Sequence, residues 1–162
     1  MVIFINGSIN AGKSTVAKGL AQRLENTALV EIDTLGAFID WVEIDKAVPI
    51  NLENALLVIR NLIKHGFNVI VPYPLSERNY RSMLGGLEDL QERILVFTLA
   101  PRLEKALRQT ADRQLSEWEL ARIKHHYEIG IPNPSFGTVI DTTEQAPAET
   151  IEQVYQAILS SK

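Results

Sequence analysis

A short run of residues near the start of the chain has the types and spacing that hold the phosphates of a nucleotide. The run is Gly7-Ser8-Ile9-Asn10-Ala11-Gly12-Lys13-Ser14, which matches the pattern G-x-x-x-x-G-K-[ST]. The glycines let backbone N–H groups point at a phosphate chain, and the following helix adds the positive end of its dipole. Lys13 is predicted to pair with the β- and γ-phosphates, and the Ser14 hydroxyl is predicted to bind Mg²⁺. The residues of this loop that are predicted to bind the nucleotide are Gly7, Asn10, Ala11, Gly12, Lys13, Ser14 and Thr15.

A carboxylate follows the second predicted strand. Asp33 comes directly after the stretch Thr27–Ile32, and ligands of open α/β sheets gather at the carboxyl ends of the strands. Near a γ-phosphate, such a carboxylate takes the proton from an attacking hydroxyl or holds Mg²⁺ through water. The alternative is that Asp33 only caps the helix after the strand. Asp141 follows the last predicted strand, either near the adenine or as a turn-forming residue.

The segments that must position these residues alternate between strand-like and helix-like patterns. The predicted strands are Val2–Ile5, Thr27–Ile32, Asn68–Val71, Arg93–Leu99 and Thr138–Ile140. The predicted helices begin at Thr15, Asn51 as a cap, Glu77, Pro101, Ser116 and Pro147, with a less regular helical stretch from Thr34 to about Val48. Apolar strands separated by helices predict a parallel sheet covered on both faces, and right-handed crossovers make it a three-layer α/β sandwich.

The composition is that of an ordinary globular domain. The chain has 162 residues, 46% hydrophobic and 22% charged, and we expect a single domain over residues 1–162. With a net charge of −4, the chain has no overall basic character that would attract a nucleic acid backbone, so no nucleic acid partner is expected. Without cysteine there is no disulfide or thiol nucleophile, and no apolar run approaches the roughly 18 residues of a membrane span. Because the first strand begins at residue 2, no signal peptide fits, and we expect a cytoplasmic protein of undetermined oligomeric state.

The chain resembles the small P-loop kinases of the nucleoside-monophosphate-kinase-like group, which includes shikimate, gluconate and adenylylsulfate kinases and the chloramphenicol phosphotransferases. The motifs that carry the resemblance are Gly7–Thr15, Val30-Glu31-Ile32-Asp33, Arg108-x-x-x-x-Arg113, and Val139-Ile140-Asp141-Thr142-Thr143 followed by Pro147. The resemblance implies the P-loop NTPase fold, with five parallel strands in the order 2-3-1-4-5. It also implies ATP-dependent transfer of the γ-phosphate to a hydroxyl of a small molecule, with ATP and Mg²⁺ as cofactors.

The resemblance also implies roles for particular residues. Asp33 would lie in the acceptor pocket, Arg108 would stack on or near the adenine, and Arg113 would belong to a lid around residues 109–130. An arginine that closes over the phosphates stabilises the transition-state charge while water is excluded. The candidate catalytic residues are therefore Lys13, Asp33 and Arg113. The alternative is that the arginines at 102, 108, 113 and 122 form one solvated helical face.

The acceptor is not identified by the sequence. Segments 34–50 and 73–87 are expected to wall its pocket, the first with acidic and aromatic residues and the second with Tyr73, Arg78, Tyr80 and Arg81. The alternative is that these charges form solvated helix faces and that the aromatic side chains pack in the core. Glu31 stands where shikimate kinases have a second Asp, so the chloramphenicol-phosphotransferase-like branch fits better. His125-His126 is expected on or beside the lid helix and not as a metal ligand. The alternative function is a nucleotide-binding regulatory protein with little or no acceptor phosphorylation.

Overall fold

Strands and helices alternate along the chain, as the hydrophobic pattern predicts. A computed structural model describes residues 1–111 and 113–161; Asp112, inside the predicted lid 109–130, and Lys162, at the end of the predicted domain 1–162, lie outside the described residues. The strands are β1 (Val2–Gly7), β2 (Thr27–Leu29), β3 (Asn68–Pro72), β4 (Ile94–Leu99) and β5 (Thr138–Ile140). The α-helices are α1 (Lys13–Ala21), α2 (Ile32–Gly36), α3 (Ile44–Lys64), α4 (Glu77–Gly85), α5 (Leu103–Ala106), α6 (Glu117–Glu128) and α7 (Pro147–Ser160).

The strands form one parallel sheet in the order β2-β3-β1-β4-β5 within the described residues. This confirms the fold class and the strand order that the resemblance implied. β1 lies at the centre, paired with β3 on one side and β4 on the other. Every residue of β1 is buried, which explains why Val2–Ile5 form a continuous apolar run instead of alternating with polar residues.

Alternate side chains of β1 enter two different halves of the core. Val2 and Phe4 belong to a cluster formed with the buried face of α3. Ile3 and Ile5 belong to a second cluster formed with α1 and α7. The sheet is therefore covered by helices on both faces, and the predicted three-layer arrangement is confirmed.

The second strand is shorter than predicted. β2 ends at Leu29, and Asp33 is the second residue of α2, so the prediction that Asp33 directly ends a strand is wrong. The Val30 N–H still bonds to the Ile70 carbonyl at 2.9 Å, but the chain then leaves the sheet edge and Glu31 takes the N-cap position of α2. Asp33 thus lies inside the first helical turn, and the structure does not place it at the cap.

The helix α3 begins earlier than predicted. It runs from Ile44 to Lys64 and contains Pro49, so the prediction that Asn51 caps this helix is wrong. Ala47 is buried in register with Leu52 and Ala55, and this continuous apolar stripe outweighs the hydrogen bond that Pro49 cannot donate. As a result, Asn51 occupies a helical position. None of the helices in ranges 1–111 and 113–161 combines the length and apolar character needed to cross a membrane.

The chain after β4 is mostly irregular until α6. α5 begins at Leu103, two residues later than the predicted start at Pro101, and ends at Ala106. The predicted capping box is present at the start of α6, where Ser116 and Glu119 bond each other's backbone N–H groups. The arginines at 102, 108, 113 and 122 therefore do not share one helix, and the alternative of a single solvated face is wrong.

Candidate active site

The phosphate loop joins the central strand β1 to α1 at the carboxyl edge of the sheet. Gly7 has φ +145°, and a Cβ at this position would lie 2.7 Å from the carbonyl oxygen of Leu99, so a larger residue would displace the loop from β4. Lys13 is the first residue of α1, and its Nζ donates to the Ser8 carbonyl at 2.7 Å, which folds the side chain back over the loop. The free N–H groups at the start of α1 and the Lys13 ammonium thus face the same space.

Two separate clefts flank this loop. The first, here called the β5-side cleft, has a volume of about 160 Å³ and joins loop residues Asn10, Ala11, Gly12 and Thr15 to residues after β4 and β5, including Thr142. The second, here called the Asp33 pocket, has a volume of about 460 Å³. Its phosphate-loop residues are Ile9, Asn10, Lys13 and Ser14. Asn10 therefore lines both spaces, and the loop divides them.

Lys13 and Asp33 share the second pocket and influence each other's charge. Burial lowers the pKa of Lys13 to about 8, and the nearby Asp33 carboxylate opposes this change. Desolvation raises the pKa of Asp33, the Lys13 ammonium opposes the increase, and the charge of Glu31 adds to it. A carboxylate with a raised pKa beside a cation is a better proton acceptor than an ordinary surface aspartate. The structure thus brings together the two residues that sequence analysis named as catalytic candidates.

The opposite wall of the Asp33 pocket is one face of α6. Trp118, Glu119, Arg122 and His126 line it, because residues three, four and seven positions apart lie on the same side of a helix. His126 is buried, and burial lowers its pKa to about 4, with the charges of Arg122, Lys13 and His125 adding to the decrease. Sequence analysis assigned no role to His126 and considered Arg122 only as part of a surface face. The signal that could have found both was their helical spacing after the capping box.

The two arginines that the resemblance singled out lie in different places. Arg113 lines the Asp33 pocket and is held by Glu119, with 2.6 Å between Nη2 and Oε1. Arg108 lies outside both clefts, in a depression of about 290 Å³ that it shares with Arg102, Lys105 and Thr143. This depression adjoins the β5-side cleft, because Lys105 lines both. Asp141 accepts a hydrogen bond from the Thr143 N–H at 2.8 Å, as a turn-forming aspartate does.

The walls of the Asp33 pocket differ from the two that the sequence predicted. From segment 34–50 the pocket takes Gly36, Ile44, Ala47 and Val48, which are small or apolar, and none of the predicted acidic residues. From segment 73–87 it takes Tyr73 and Pro74, whereas Arg78 and Arg81 do not line it. The acidic wall and the arginine pair are therefore absent from the described residues that line the pocket, in agreement with the alternative of solvated helix faces, whereas Tyr73 lines the pocket as predicted. The acidic side chains and these arginines point away because the apolar faces of α2, α3 and α4 are the ones turned inward.

Asn51 is a further polar group of this pocket. Its Oδ1 atom is buried and has no hydrogen-bond partner among the described residues, although its residue lines the pocket. A buried acceptor without a partner costs free energy, so Asn51 is an unsatisfied polar group in the pocket wall. The residue was predicted as a helix cap, and only the extension of α3 places it in the pocket wall.

The oxygen donors near the loop suit the magnesium that accompanies a nucleotide. Within the described residues, no group of three or more His, Asp or Glu side chains could hold a metal ion by itself. Mg²⁺ at nucleotide sites is bound by one or two protein oxygens together with substrate phosphates. The Ser14 hydroxyl at the start of α1 and the Asp33 carboxylate line the same pocket and supply such oxygens. These residues fit Mg²⁺ held jointly with phosphate.

Comparison with known proteins identifies the fold. No protein-family description and no curated protein matches the chain. Among solved structures, it is similar to the tunicamycin resistance protein of Deinococcus radiodurans, with 22% identity and a TM-score of 0.67 over 97% of this chain and 94% of that one. It is also similar to shikimate kinase from Acinetobacter baumannii in complex with shikimate, with 21% identity and a TM-score of 0.61 over 99% and 94% of the two chains.

A third similar structure contains a nucleotide analogue. It is the APS kinase of Mycobacterium tuberculosis in complex with AMPPNP and APS, with 16% identity and a TM-score of 0.73 over 97% of this chain and 96% of that one. The similarity covers nearly the whole length of each chain, and this chain has five parallel strands in the order 2-3-1-4-5. The chain therefore has the P-loop NTPase fold of the small, nucleoside-monophosphate-kinase-like P-loop kinases.

Proposed function

We propose that this protein is an ATP-dependent phosphotransferase that moves the γ-phosphate of ATP to a hydroxyl of a small molecule. The observation that carries the proposal is the phosphate loop lying between two separate clefts, with Asn10 lining both. A nucleotide whose base occupies the β5-side cleft, with its phosphates along the loop, directs its terminal phosphate into the Asp33 pocket. A second substrate in that pocket then meets the phosphate end-on.

The residues of the pocket have distinct roles in this proposal. Lys13 neutralises the β- and γ-phosphate oxygens, and Ser14 holds the magnesium ion. When bound, Mg²⁺ neutralises charge on the β- and γ-phosphate oxygens. Asp33 accepts the proton of the acceptor hydroxyl or would help to hold Mg²⁺ through water, and its raised pKa favours the first role.

A lid formed by residues 109–130 completes the site in this proposal. Arg113 and Arg122 both line the pocket from this segment. To contact the phosphate that is transferred, Arg113 must first break its salt bridge with Glu119. Salt bridges near the surface contribute little free energy, so this one can be broken. Closure would exclude water and add positive charge where the transition state needs it. Residues 1–162 act as one domain, because both clefts share the same loop.

The acceptor class stays open between metabolites and antibiotics. Two of the similar structures bear names from these two classes, shikimate kinase and a tunicamycin resistance protein. The pocket volume of about 460 Å³ admits molecules of either class. Its apolar residues from α3 and α6 favour an acceptor with an apolar face.

The test is magnesium-dependent ATP consumption with a panel of acceptors. The panel contains shikimate, gluconate, nucleosides, nucleoside monophosphates, chloramphenicol, tunicamycin and aminoglycosides. We expect one class to raise turnover at least about tenfold over the basal rate, and Asp33→Asn to lose this stimulation while it still binds ATP. Lys13→Ala should lose both turnover and ATP affinity. The phosphorylated product, identified by mass spectrometry, names the reacting hydroxyl.

Matched variants control for general effects of removing a charge. Asp40→Asn removes an exposed carboxylate that does not line the pocket, and Lys18→Ala removes an exposed ammonium from the same helix as Lys13. Both controls should behave as the wild type. If ATP binds but no acceptor raises turnover, and Asp33→Asn changes nothing, the phosphotransferase proposal is wrong and the regulatory alternative is favoured.

A further inference from the structure

Side chains of the phosphate loop and of the strand before it are hydrogen-bonded to the backbone that flanks segment 109–130, the lid segment, on each side. At one end, Asn10 Nδ2 donates to the carbonyl oxygens of Ala106 at 2.9 Å and Arg108 at 3.1 Å. At the other end, the fully buried Asn6 donates from Nδ2 to the Ile131 carbonyl at 3.3 Å. The backbone that enters the lid segment and the backbone that leaves it are therefore both held by residues around the phosphate site.

A third contact lies between these two, inside the lid segment. Ser8 of the phosphate loop has no exposed surface, and its Oγ shares a hydrogen bond of 3.1 Å with Nδ1 of His126. His126 is 4% exposed, and its pKa near 4 keeps the imidazole neutral at physiological pH. A neutral imidazole can keep this hydrogen bond to a hydroxyl, whereas a buried imidazolium would need a countercharge.

The lid segment also has a small apolar core that reaches the loop. Ala106, Leu115 and Ile123 are buried together, and Ile9 of the phosphate loop packs against them. α6 is therefore attached to the loop by a polar contact at His126 and by an apolar contact at Ile9. Because a helix moves as a rigid element, a shift at His126 also moves Arg122, one turn earlier on the pocket face.

We propose that His126 is a positioning residue that couples occupancy of the phosphate loop to the position of the lid segment through Ser8. Phosphate bound by the loop holds the backbone of Ser8, Ser8 holds His126, and α6 carries Arg122 and Trp118 over the pocket. Without this hydrogen bond, the nucleotide binds and the lid segment no longer responds. The inference rests on the proposed function in one respect, that the loop binds a nucleotide.

The experiment uses tryptophan fluorescence, because the chain has two tryptophans and one of them lies in the lid segment. Trp118 lines the Asp33 pocket and is 57% exposed, whereas Trp41 lies outside it. In a Trp41→Phe parent, Trp118 reports on α6 while Mg²⁺ and AMPPNP are added, and calorimetry measures AMPPNP affinity separately. The parent should show a saturable change in Trp118 emission.

The variants separate binding from coupling. Ser8→Ala and His126→Leu should bind AMPPNP within about threefold of the parent and lose more than about half of the emission change. Because both remove the same bond, the double variant should lose no more than either single variant. His126→Asn, whose amide can bond Ser8, should restore the response. The exposed neighbour His125→Ala should behave as the parent.

Other outcomes distinguish a failure of the coupling from a failure of the proposed function. An unchanged Trp118 response in Ser8→Ala and His126→Leu, or no response in a parent that binds AMPPNP, overturns the coupling. A parent that does not bind AMPPNP overturns the proposed function, and the inference with it. AMPPNP binding with a Ser8-dependent response but without acceptor turnover supports the coupling and contradicts only the phosphotransferase proposal.

Discussion

At the scale of single residues, the site depends on titratable groups that share one pocket and modify one another's pKa. Lys13, Asp33 and His126 line one pocket, and each has a pKa displaced from its ordinary value by burial and by its neighbours. Lys13 and Asp33 were predicted from motif and position. His126 was not, because its burial depends on how α6 packs against the phosphate loop, which a single sequence does not encode locally.

The lowered pKa of His126 predicts a specific dependence of stability on pH. The pKa falls from its ordinary 6.5 to about 4, so between these values the unfolded chain binds more protons than the folded one. The contribution to stability is complete above pH 6.5 and is lost as the pH falls toward 4, by up to about 3 kcal/mol. Urea denaturation from pH 7 to 4.5 should show wild type losing more stability than His126→Asn. His125→Asn should follow the wild type, and parallel curves for wild type and His126→Asn would contradict the prediction.

At the scale of elements, α3 and α6 form the pocket walls, and their boundaries decide which side chains line it. α3 extends through Pro49 to Ile44, and this extension brings Ala47, Val48 and Asn51 to the pocket. α6 begins at its capping box, and this start sets which face carries Arg122. The box was predictable because its signal is local. The extension of α3 was not, because packing overrides the local preference against proline.

Replacing the proline of α3 should stabilise the fold and weaken acceptor binding. Pro49→Ala restores a backbone hydrogen-bond donor inside a helix, which stabilises the folded state. It also increases the conformational entropy of the unfolded chain, which offsets part of this effect. The free energy of unfolding should therefore rise by about 1 kcal/mol. Without the proline ring, which crowds the carbonyl of Asp45, the first turns of α3 should shift Ala47 and Val48 and weaken acceptor binding, seen as a raised KM with unchanged ATP affinity. Denaturation and acceptor titration measure the two effects. A destabilised variant, or one with unchanged KM, would show that Pro49 does not shape the wall.

A glycine at the entry to β5 should matter through packing against β4. Gly137 has φ +70°, and a Cβ there would lie 2.6 Å from the Val96 carbonyl oxygen. Gly137→Ala should cost at least about 2 kcal/mol, from backbone strain and overpacking together. Gly130→Ala is the matched control, because Gly130 has φ +78° and open space around its Cβ position. At Gly130 only the backbone strain acts. If both variants lose the same free energy of unfolding, packing against β4 does not contribute to the cost at Gly137.

At the scale of the whole molecule, one sheet edge collects residues that are far apart in sequence. β1 is central, so its loop meets the segments after β2, β3, β4 and β5. The two clefts arise on either side of this loop for that reason. The arrangement follows from the strand order, and the resemblance implied this order correctly.

Nucleotide binding should stabilise the whole fold. Mg·ATP at 100 times its Kd should add about 2.7 kcal/mol and raise the Tm by roughly 5–10 °C for a chain of this size. Differential scanning fluorimetry with Mg·ATP measures the shift. Lys13→Ala should show little shift and Lys18→Ala the full one. A wild type without any shift would contradict nucleotide binding at the loop.

The sequence by itself determined the phosphate loop, the buried strand before it, the alternation of strands and helices, and the candidates Lys13 and Asp33. These features are local, because a glycine-rich loop, an apolar strand and a capping box are written in consecutive residues. The tertiary structure alone decided that Asn51, Arg122 and His126 face the Asp33 pocket and that the predicted acidic and arginine walls do not. Their placement depends on which faces of α3 and α6 turn inward, and that is set by packing between segments distant in sequence.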